Sequence, residues 1–314
     1  MPAKIAVITG PTATGKTALG VILAKELCGE VISADSMQLY RRMDIGTAKV
    51  TPEEMQGVPH HMIDIADPSE SYSVSRYVQE ATACVEDILS RGKLPILVGG
   101  TGLYIDSLIR GLDFADENRD EGIRERLSEQ YDAIGGDAFR EKLAAVDPER
   151  AEKLAPGDKR RLVRAMEVYV LTGKTITEHD RETQARPPRY EAAKIALTFA
   201  DREKLYERID KRVDIMVEQG LVEEVQSLLQ SGLTKNSTAM QAIGYKEIVS
   251  AFEGEITMDE AIEAIKRESR RYAKRQLTWL RRDDSVFWIR WEEKADFEAA
   301  RRVSTEFLYS RGLK

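Results

Sequence analysis

The apolar positions of the first hundred residues switch repeatedly between two periods. Ile5-Ala6-Val7-Ile8 is an unbroken apolar run and predicts a strand over Lys4–Thr9 that is buried on both faces. A helix follows over Lys16–Leu27 and a second strand over Glu30–Ser33. Between Val74 and Arg91, Tyr77, Val78, Ala81, Val85, Ile88 and Leu89 fall along one side of a helix. Leu94–Val98 is a third strand, closed by Gly99-Gly100 and followed by another helix. Strands alternating with helices predict a parallel α/β sheet built from βαβ units.

From Asp116 the sequence turns charged, helical and interrupted, with breaks at Gly135-Gly136, Asp147-Pro148, Ala155-Pro156-Gly157 and Arg186-Pro187-Pro188. No good strand pattern occurs there. Ala193–Phe199 reads as a strand again. Asp201 caps a helix whose Leu205, Ile209, Val213, Met216 and Val217 keep the helical period until Gly220. The C-terminal third adds helices and a short strand at Val286–Trp291. The fold expected is therefore α/β: a parallel sheet core made of residues 1–115 and 191–314, carrying an all-helical insertion at 116–190.

The 314 residues are 42% hydrophobic and 32% charged, which excludes a disordered or fibrous chain. No apolar run approaches the roughly 20 residues that span a bilayer, and the start Met-Pro-Ala-Lys lacks the marks of an export signal, so a cytoplasmic protein without a membrane span is expected. Cys28 and Cys84 form no metal-spaced motif and read as buried free thiols on amphipathic helices. Adjacent His60 and His61 point to opposite faces of an extended segment, so no zinc site is expected. The net charge of −7 argues against coating a polyanion with the whole surface. Two basic stretches run against it: Lys159, Arg160, Arg161 and Arg164, and the segment Ala264–Arg282, where Lys266, Arg267, Arg270, Arg271, Lys274, Arg275, Arg281 and Arg282 face one acid, Glu268. Such stripes fit either a channel for a polyanion or solvated helix faces.

Gly10-Pro11-Thr12-Ala13-Thr14-Gly15-Lys16-Thr17 is a complete GxxxxGK[ST] loop between a predicted strand and helix, so the parallel sheet core is expected to be like that of P-loop nucleoside triphosphatases. Backbone N–H groups of such a loop converge on phosphate oxygens, Lys16 adds a positive charge, and Thr17 can ligate Mg²⁺. A nucleoside triphosphatase also needs an acid at a strand end. Leu94–Val98 ends instead in Gly99-Gly100-Thr101-Gly102. The acid follows the second strand, as Asp35, where neighbouring strand ends meet at one rim. Asp35 is a candidate base or metal ligand, or a turn or cap residue.

Further blocks accompany the loop: Ser33-Ala34-Asp35-Ser36-Met37-Gln38-Leu39-Tyr40, Met43-Asp44-Ile45-Gly46-Thr47-Ala48-Lys49, Pro59-His60-His61-Met62-Ile63-Asp64 and Val98-Gly99-Gly100-Thr101-Gly102-Leu103-Tyr104. Ala242-Ile243-Gly244-Tyr245-Lys246-Glu247 and Tyr272-Ala273-Lys274-Arg275-Gln276-Leu277-Thr278-Trp279 complete the set. In these blocks and their order the chain resembles the tRNA dimethylallyltransferases. The resemblance implies transfer of a dimethylallyl group from dimethylallyl diphosphate to N6 of the adenosine just 3′ of the anticodon, position 37, in tRNAs reading codons that start with U. Diphosphate is released with Mg²⁺ as cofactor, by a monomer acting on the anticodon stem-loop.

By the same resemblance, Gly10 to Thr17 bind the diphosphate, with Thr17 near the metal, and Asp35 is the general base. Asp35, Ser36, Met37 and Gln38 hold the target base, Thr101 contacts the tRNA near the reacting centre, and Lys159, Arg160, Arg161, Leu162 and Val163 lie against the tRNA. Arg208 is a candidate second cation on the diphosphate or a salt-bridged surface arginine. A stacked adenine must be flipped out to react, so the insertion is expected to clamp the anticodon stem-loop, with the basic helix at Lys266–Arg282 as the other wall. Tyr272 and Trp279 offer stacking faces there or pack in the core. Eukaryotic members carry a zinc-finger-like C-terminal extension; this sequence shows no such Cys/His pattern, so the bacterial form is expected. Three alternatives compete: an adenylate dimethylallyltransferase, a P-loop small-molecule kinase, and a non-catalytic RNA-binding module.

Overall fold

The computed structural model describes residues 2–112 and 121–313. The chain divides into two compact units, residues 1–109 with 189–314 and residues 110–188. The expected boundary at residue 116 lies outside the described residues.

In the first unit the chain runs β1 (Ala3–Thr9), α1 (Lys16–Glu26), β2 (Gly29–Ser33), α2 (Pro52–Met55), β3 (His60–His61), α3 (Val74–Ser90), β4 (Leu94–Val98) and α4 (Gly102–Arg110). The second unit holds α5 (Glu121–Ile134), α6 (Gly136–Ala144), α7 (Pro148–Lys153), α8 (Lys159–Thr172) and α9 (Ile176–Gln184). The chain returns to the first unit with β5 (Tyr190–Phe199), α10 (Arg202–Glu218), α11 (Leu221–Gln230), α12 (Tyr245–Phe252), α13 (Met258–Leu280), β6 (Phe287–Trp291) and α14 (Phe297–Ser310).

The six strands form one parallel sheet in the order β3-β2-β4-β1-β5-β6. Every residue of β2 and β4 is buried, as continuous apolar runs require when helices cover both faces. Pro95 is tolerated in β4 because β1 joins only at Ile96, so the missing N–H falls where β4 is paired on one side. Glu30, opposite Pro95, is buried, and its carboxylate is held by Arg91, Lys93 at 2.7 Å and His61 at 2.8 Å. These hydrogen bonds, led by the Arg91 guanidinium, keep its carboxyl far below the usual carboxylate range. His61 thus belongs to an ion cluster at the opposite end of β2 from Asp35.

The second unit has its own core of Leu127, Phe139, Leu143, Leu154, Leu162 and Val163. The predicted break at Asp147-Pro148 is a helix start: Asp147 accepts from the Arg150 amide at 3.1 Å, with proline in the first turn of α7. Its carboxylate also accepts from the Thr177 hydroxyl at 2.6 Å, joining α7 to α9. The two cysteines depart from expectation. Cys28 is exposed, because it follows the end of α1 with φ 50 and projects from the turn into β2, and Cys84 on α3 is only half-buried.

Candidate active site

The glycine-rich loop joins β1 to α1 at the C-terminal rim of the sheet. Gly10 has φ 134, and a Cβ there would lie 2.3 Å from the Leu197 carbonyl oxygen of β5, so only glycine lets the loop leave β1 against its neighbour. Gly15 caps α1 in the left-handed region with no side chain capping the helix and no acid in its first turn. The N–H groups of that turn are thereby left for an anion. The loop's carbonyls are held from outside: Arg208 Nε donates to Ala13 at 3.2 Å and Trp291 Nε1 to Thr14 at 3.0 Å. Lys16 folds back to donate to the Pro11 carbonyl at 2.7 Å. Its burial, and then the charge of Arg212, push its ammonium down to about 7 against the opposing pull of Asp35.

Asp35 stands at the end of β2, close enough to Lys16 and Arg212 for its charge to act on both. Its Oδ1 accepts from the Met37 amide at 2.9 Å, a local turn that orients the carboxylate. Ser36 N donates to Thr101 Oγ1 at 3.1 Å, and Thr101 N to the Ala34 carbonyl at 3.0 Å, which joins the ends of β2 and β4. Gly99 permits that approach, since a Cβ there would meet Ala34 O at 2.3 Å.

Helix α13 closes the back of the site. Gln276, buried on α13, accepts from the Thr12 amide at 3.1 Å and donates to the Gly100 carbonyl at 2.9 Å, bridging the phosphate loop and the glycine turn after β4. One turn earlier, the Tyr272 hydroxyl lies against Thr101 and Gln276, and burial raises it to about 12. The rim therefore brings together a helix N-terminus, a lysine, two arginines and the Asp35 carboxylate, a set suited to holding a phosphorylated leaving group beside a base.

The family model described as IPP transferase matches residues 38–283, and one described as isopentenyl transferase matches residues 3–71. The chain is 49% identical over 309 residues to a tRNA dimethylallyltransferase of Thermoanaerobacter sp. (strain X514), covering 98% of each. It is 51% identical over 312 residues to one of Geobacillus thermodenitrificans, covering 99% of this chain and 98% of the relative. The chain belongs to the tRNA dimethylallyltransferase family. The crystal structure of a tRNA isopentenylpyrophosphate transferase from Bacillus halodurans is similar with a TM-score of 0.73 at 43% identity, covering 98% of both chains. A eukaryotic dimethylallyltransferase caught acting on tRNA gives 0.83 at 31% identity, covering 98% of this chain and 80% of the other.

Set against what family resemblance led us to expect, Gly10–Thr17, Asp35–Gln38 and Thr101 come together at one rim. Arg208 touches the phosphate loop and forms no salt bridge among the described residues; its guanidinium lies over the Phe199 ring at 5.3 Å. The Leu162 and Val163 side chains are buried in the second unit's own core, since they occupy the apolar face of α8. Of that stretch Arg160 and Arg161 are exposed, whereas Lys159 is half-buried and bonded to Asp132 at 2.6 Å. The basic helix is divided too. Lys266 and Arg270 pair with Asp214 and Asp210 of α10, at 2.7 Å and 2.6 Å, while Arg271, Lys274, Arg275 and Arg282 line a groove of about 540 Å³ with Thr278 and Trp279. Trp279 is not a free stacking face: it covers Gly102 and donates to Asp106 at 2.9 Å.

Sequence reasoning missed Gln276 and Arg212 as site residues. Arg212 was accessible to it, lying one helical turn beyond Arg208 on α10. Gln276 stood within the family block Tyr272–Trp279, but its role was not legible, because nothing in a single sequence says that this residue of α13 meets the phosphate loop.

Proposed function

We propose that the protein transfers the dimethylallyl group of dimethylallyl diphosphate to N6 of adenosine 37 in the tRNA anticodon loop. One observation carries the reading: an uncapped helix N-terminus with Lys16 beside the Asp35 carboxylate, and a glycine turn where a hydrolytic acid would stand after β4. The N6 lone pair forms a bond to the allylic carbon as the carbon–oxygen bond to diphosphate breaks. The electron pair leaves with the diphosphate, and Asp35 accepts the N6 proton. The loop amides, Lys16 and Arg208 stabilise the negative charge that develops on the departing oxygens.

Among the described residues no three His, Cys, Asp or Glu side chains could hold a metal on their own. Mg²⁺ keeps waters and substrate phosphates as ligands and needs one or two protein oxygens, and the half-buried Thr17 hydroxyl fits that need. When bound, Mg²⁺ supplies further charge to the leaving group. In the second unit Arg160 and Arg161 supply cations for backbone phosphates of the stem-loop, which sets the register without reading sequence.

The test is incubation with Mg²⁺, labelled dimethylallyl diphosphate and, in parallel, unmodified tRNA, AMP and ATP, followed by nucleoside mass analysis. Label at adenosine 37 of tRNA is expected. Label in AMP alone would replace the acceptor with a free nucleotide, and ATP turnover without transfer would replace the reaction with phosphoryl transfer.

A further inference from the structure

The loop Met43–Lys49, just beyond the base-holding turn, is anchored by one distant carboxylate. Glu224, in the first turn of α11, accepts from the amides of Asp44 at 2.7 Å, Ile45 at 2.8 Å and Gly46 at 3.0 Å. A fourth donor, the fully buried Tyr245 hydroxyl, lies 2.6 Å from the same carboxylate. Three consecutive amides converging on an anion form a nest, and charged acceptors make such bonds strong. Gly46 has no room for a side chain: a Cβ would meet the Tyr245 ring at 2.6 Å and Leu221 at 2.8 Å. Ala48 is held at φ 46, a conformation that an alanine keeps only when its surroundings impose it.

What this loop fixes is Gln38. The Gln38 Nε2 donates to the carbonyls of Thr47 and Ala48, both at 3.2 Å. Both amide hydrogens are thereby committed, and the flip state of the side chain is set by two acceptors. Its Oε1 takes only a long bond from the Ser33 hydroxyl, 3.4 Å, and keeps a free lone pair. Gln38 is thus an acceptor without a donor to offer. A purine with an exocyclic amine satisfies such a group, and one without it leaves the lone pair unpaired.

We infer that Glu224 is a positioning residue that selects an amine-bearing base: it locks the 44–46 amides, the adjoining carbonyls hold the Gln38 amide, and Gln38 accepts from the exocyclic N–H. This rests on the proposal that residues 35–38 hold the target base. In Glu224→Gln, one oxygen becomes an NH₂ that must face either backbone N–H groups or the Tyr245 hydroxyl, so the nest is no longer matched.

The experiment measures binding of two anticodon stem-loops, with adenosine or with purine riboside at the target position, to the wild type, Gln38→Leu, Glu224→Gln and the double variant. Diphosphate affinity serves as the folding control. The bond to Gln38 is expected to contribute about tenfold to the wild type's preference for adenosine, the value of one hydrogen bond, beside what the Asp35 bond to N6 adds in every protein tested. Each single variant is expected to lower the wild-type preference by about five- to tenfold, and the double variant to be no worse than either, the signature of one coupled device. Should Glu224→Gln fail to fold, Tyr245→Phe removes one of the four donors with little change in volume and is expected to lose part of the preference. Loss of preference in Gln38→Leu but not in the Glu224 or Tyr245 variants would overturn the positioning role and leave the base site standing. Full preference in Gln38→Leu would overturn the role of Gln38 as acceptor and leave recognition of the amine to Asp35. Additive losses would show that Glu224 acts on the RNA by another route.

Discussion

Lys16 near neutrality makes diphosphate binding a proton-linked event. With its ammonium pushed down to about 7, Lys16 is roughly nine-tenths neutral at pH 8 and one-tenth neutral at pH 6 in the free protein. A bound diphosphate restores the charge, so binding should take up about 0.9 proton at this group at pH 8 and about 0.1 at pH 6. Affinity from this source should fall about tenfold per pH unit above 7. The same shift makes the free fold more stable as pH rises from 7 to 10.5, where the unfolded chain still holds the proton and the native lysine does not. Titration calorimetry in buffers of different ionisation enthalpy measures the uptake. Lys16→Arg keeps the cation but stays charged throughout, so the titration of diphosphate itself cancels in the comparison. Equal uptake by the two proteins at pH 8, or a Lys16 acylation profile with its midpoint near 10, would refute the reasoning.

Asp35→Asn keeps an oxygen for the Met37 amide and should therefore keep the turn, while turnover falls at least about a hundredfold with diphosphate affinity retained; single-turnover transfer separates the two. Glu30→Gln should destabilise the fold by about 2–3 kcal/mol, the cost of breaking a buried ion cluster reduced for the half-exposed Arg91 and Lys93. Because folding lowers the Glu30 carboxyl, that deficit should be full above about pH 5 and shrink as the pH falls below 4.5, which chemical denaturation across pH would trace. Lys159→Ala with Arg160→Ala should weaken stem-loop binding and reduce the slope of log affinity against log salt by roughly one to two, leaving diphosphate affinity unchanged. An unaltered slope would return both residues to a solvated face.

Most of the sheet was legible because a parallel strand buried on both faces announces itself as an uninterrupted apolar run; Leu94–Val98 was bounded to the residue. The phosphate loop and Asp35 were legible for a related reason, since local chemistry fixes them: glycines where the backbone must turn left-handed, and an acid at a strand end. Parts determined by distant packing were not. Leu162 and Val163 carry the helical apolar period of α8, which marks their side chains as core once the unit has a core to enter. The charge count of α13 likewise could not say that Lys266 and Arg270 answer aspartates on α10. The contact between Thr12 and Gln276 joins residues far apart in the sequence, beyond the reach of any periodicity.

The phosphate loop is written near the start of the chain and supported from near its end. Gln276 holds Thr12, Trp291 holds Thr14, and the Phe297 ring occupies the space where a side chain on Gly15 would lie, 2.7 Å from its Cβ position. During synthesis, therefore, the motif emerges long before anything can hold its carbonyls outward. A polypeptide released before α13 would carry the whole signature Gly10–Thr17 and Asp35 yet lack Gln276, Trp291 and Phe297, which support the loop. Integrity of the C-terminal end is in this way read out at the catalytic rim, so that a truncated product should be an inactive enzyme rather than a weak one.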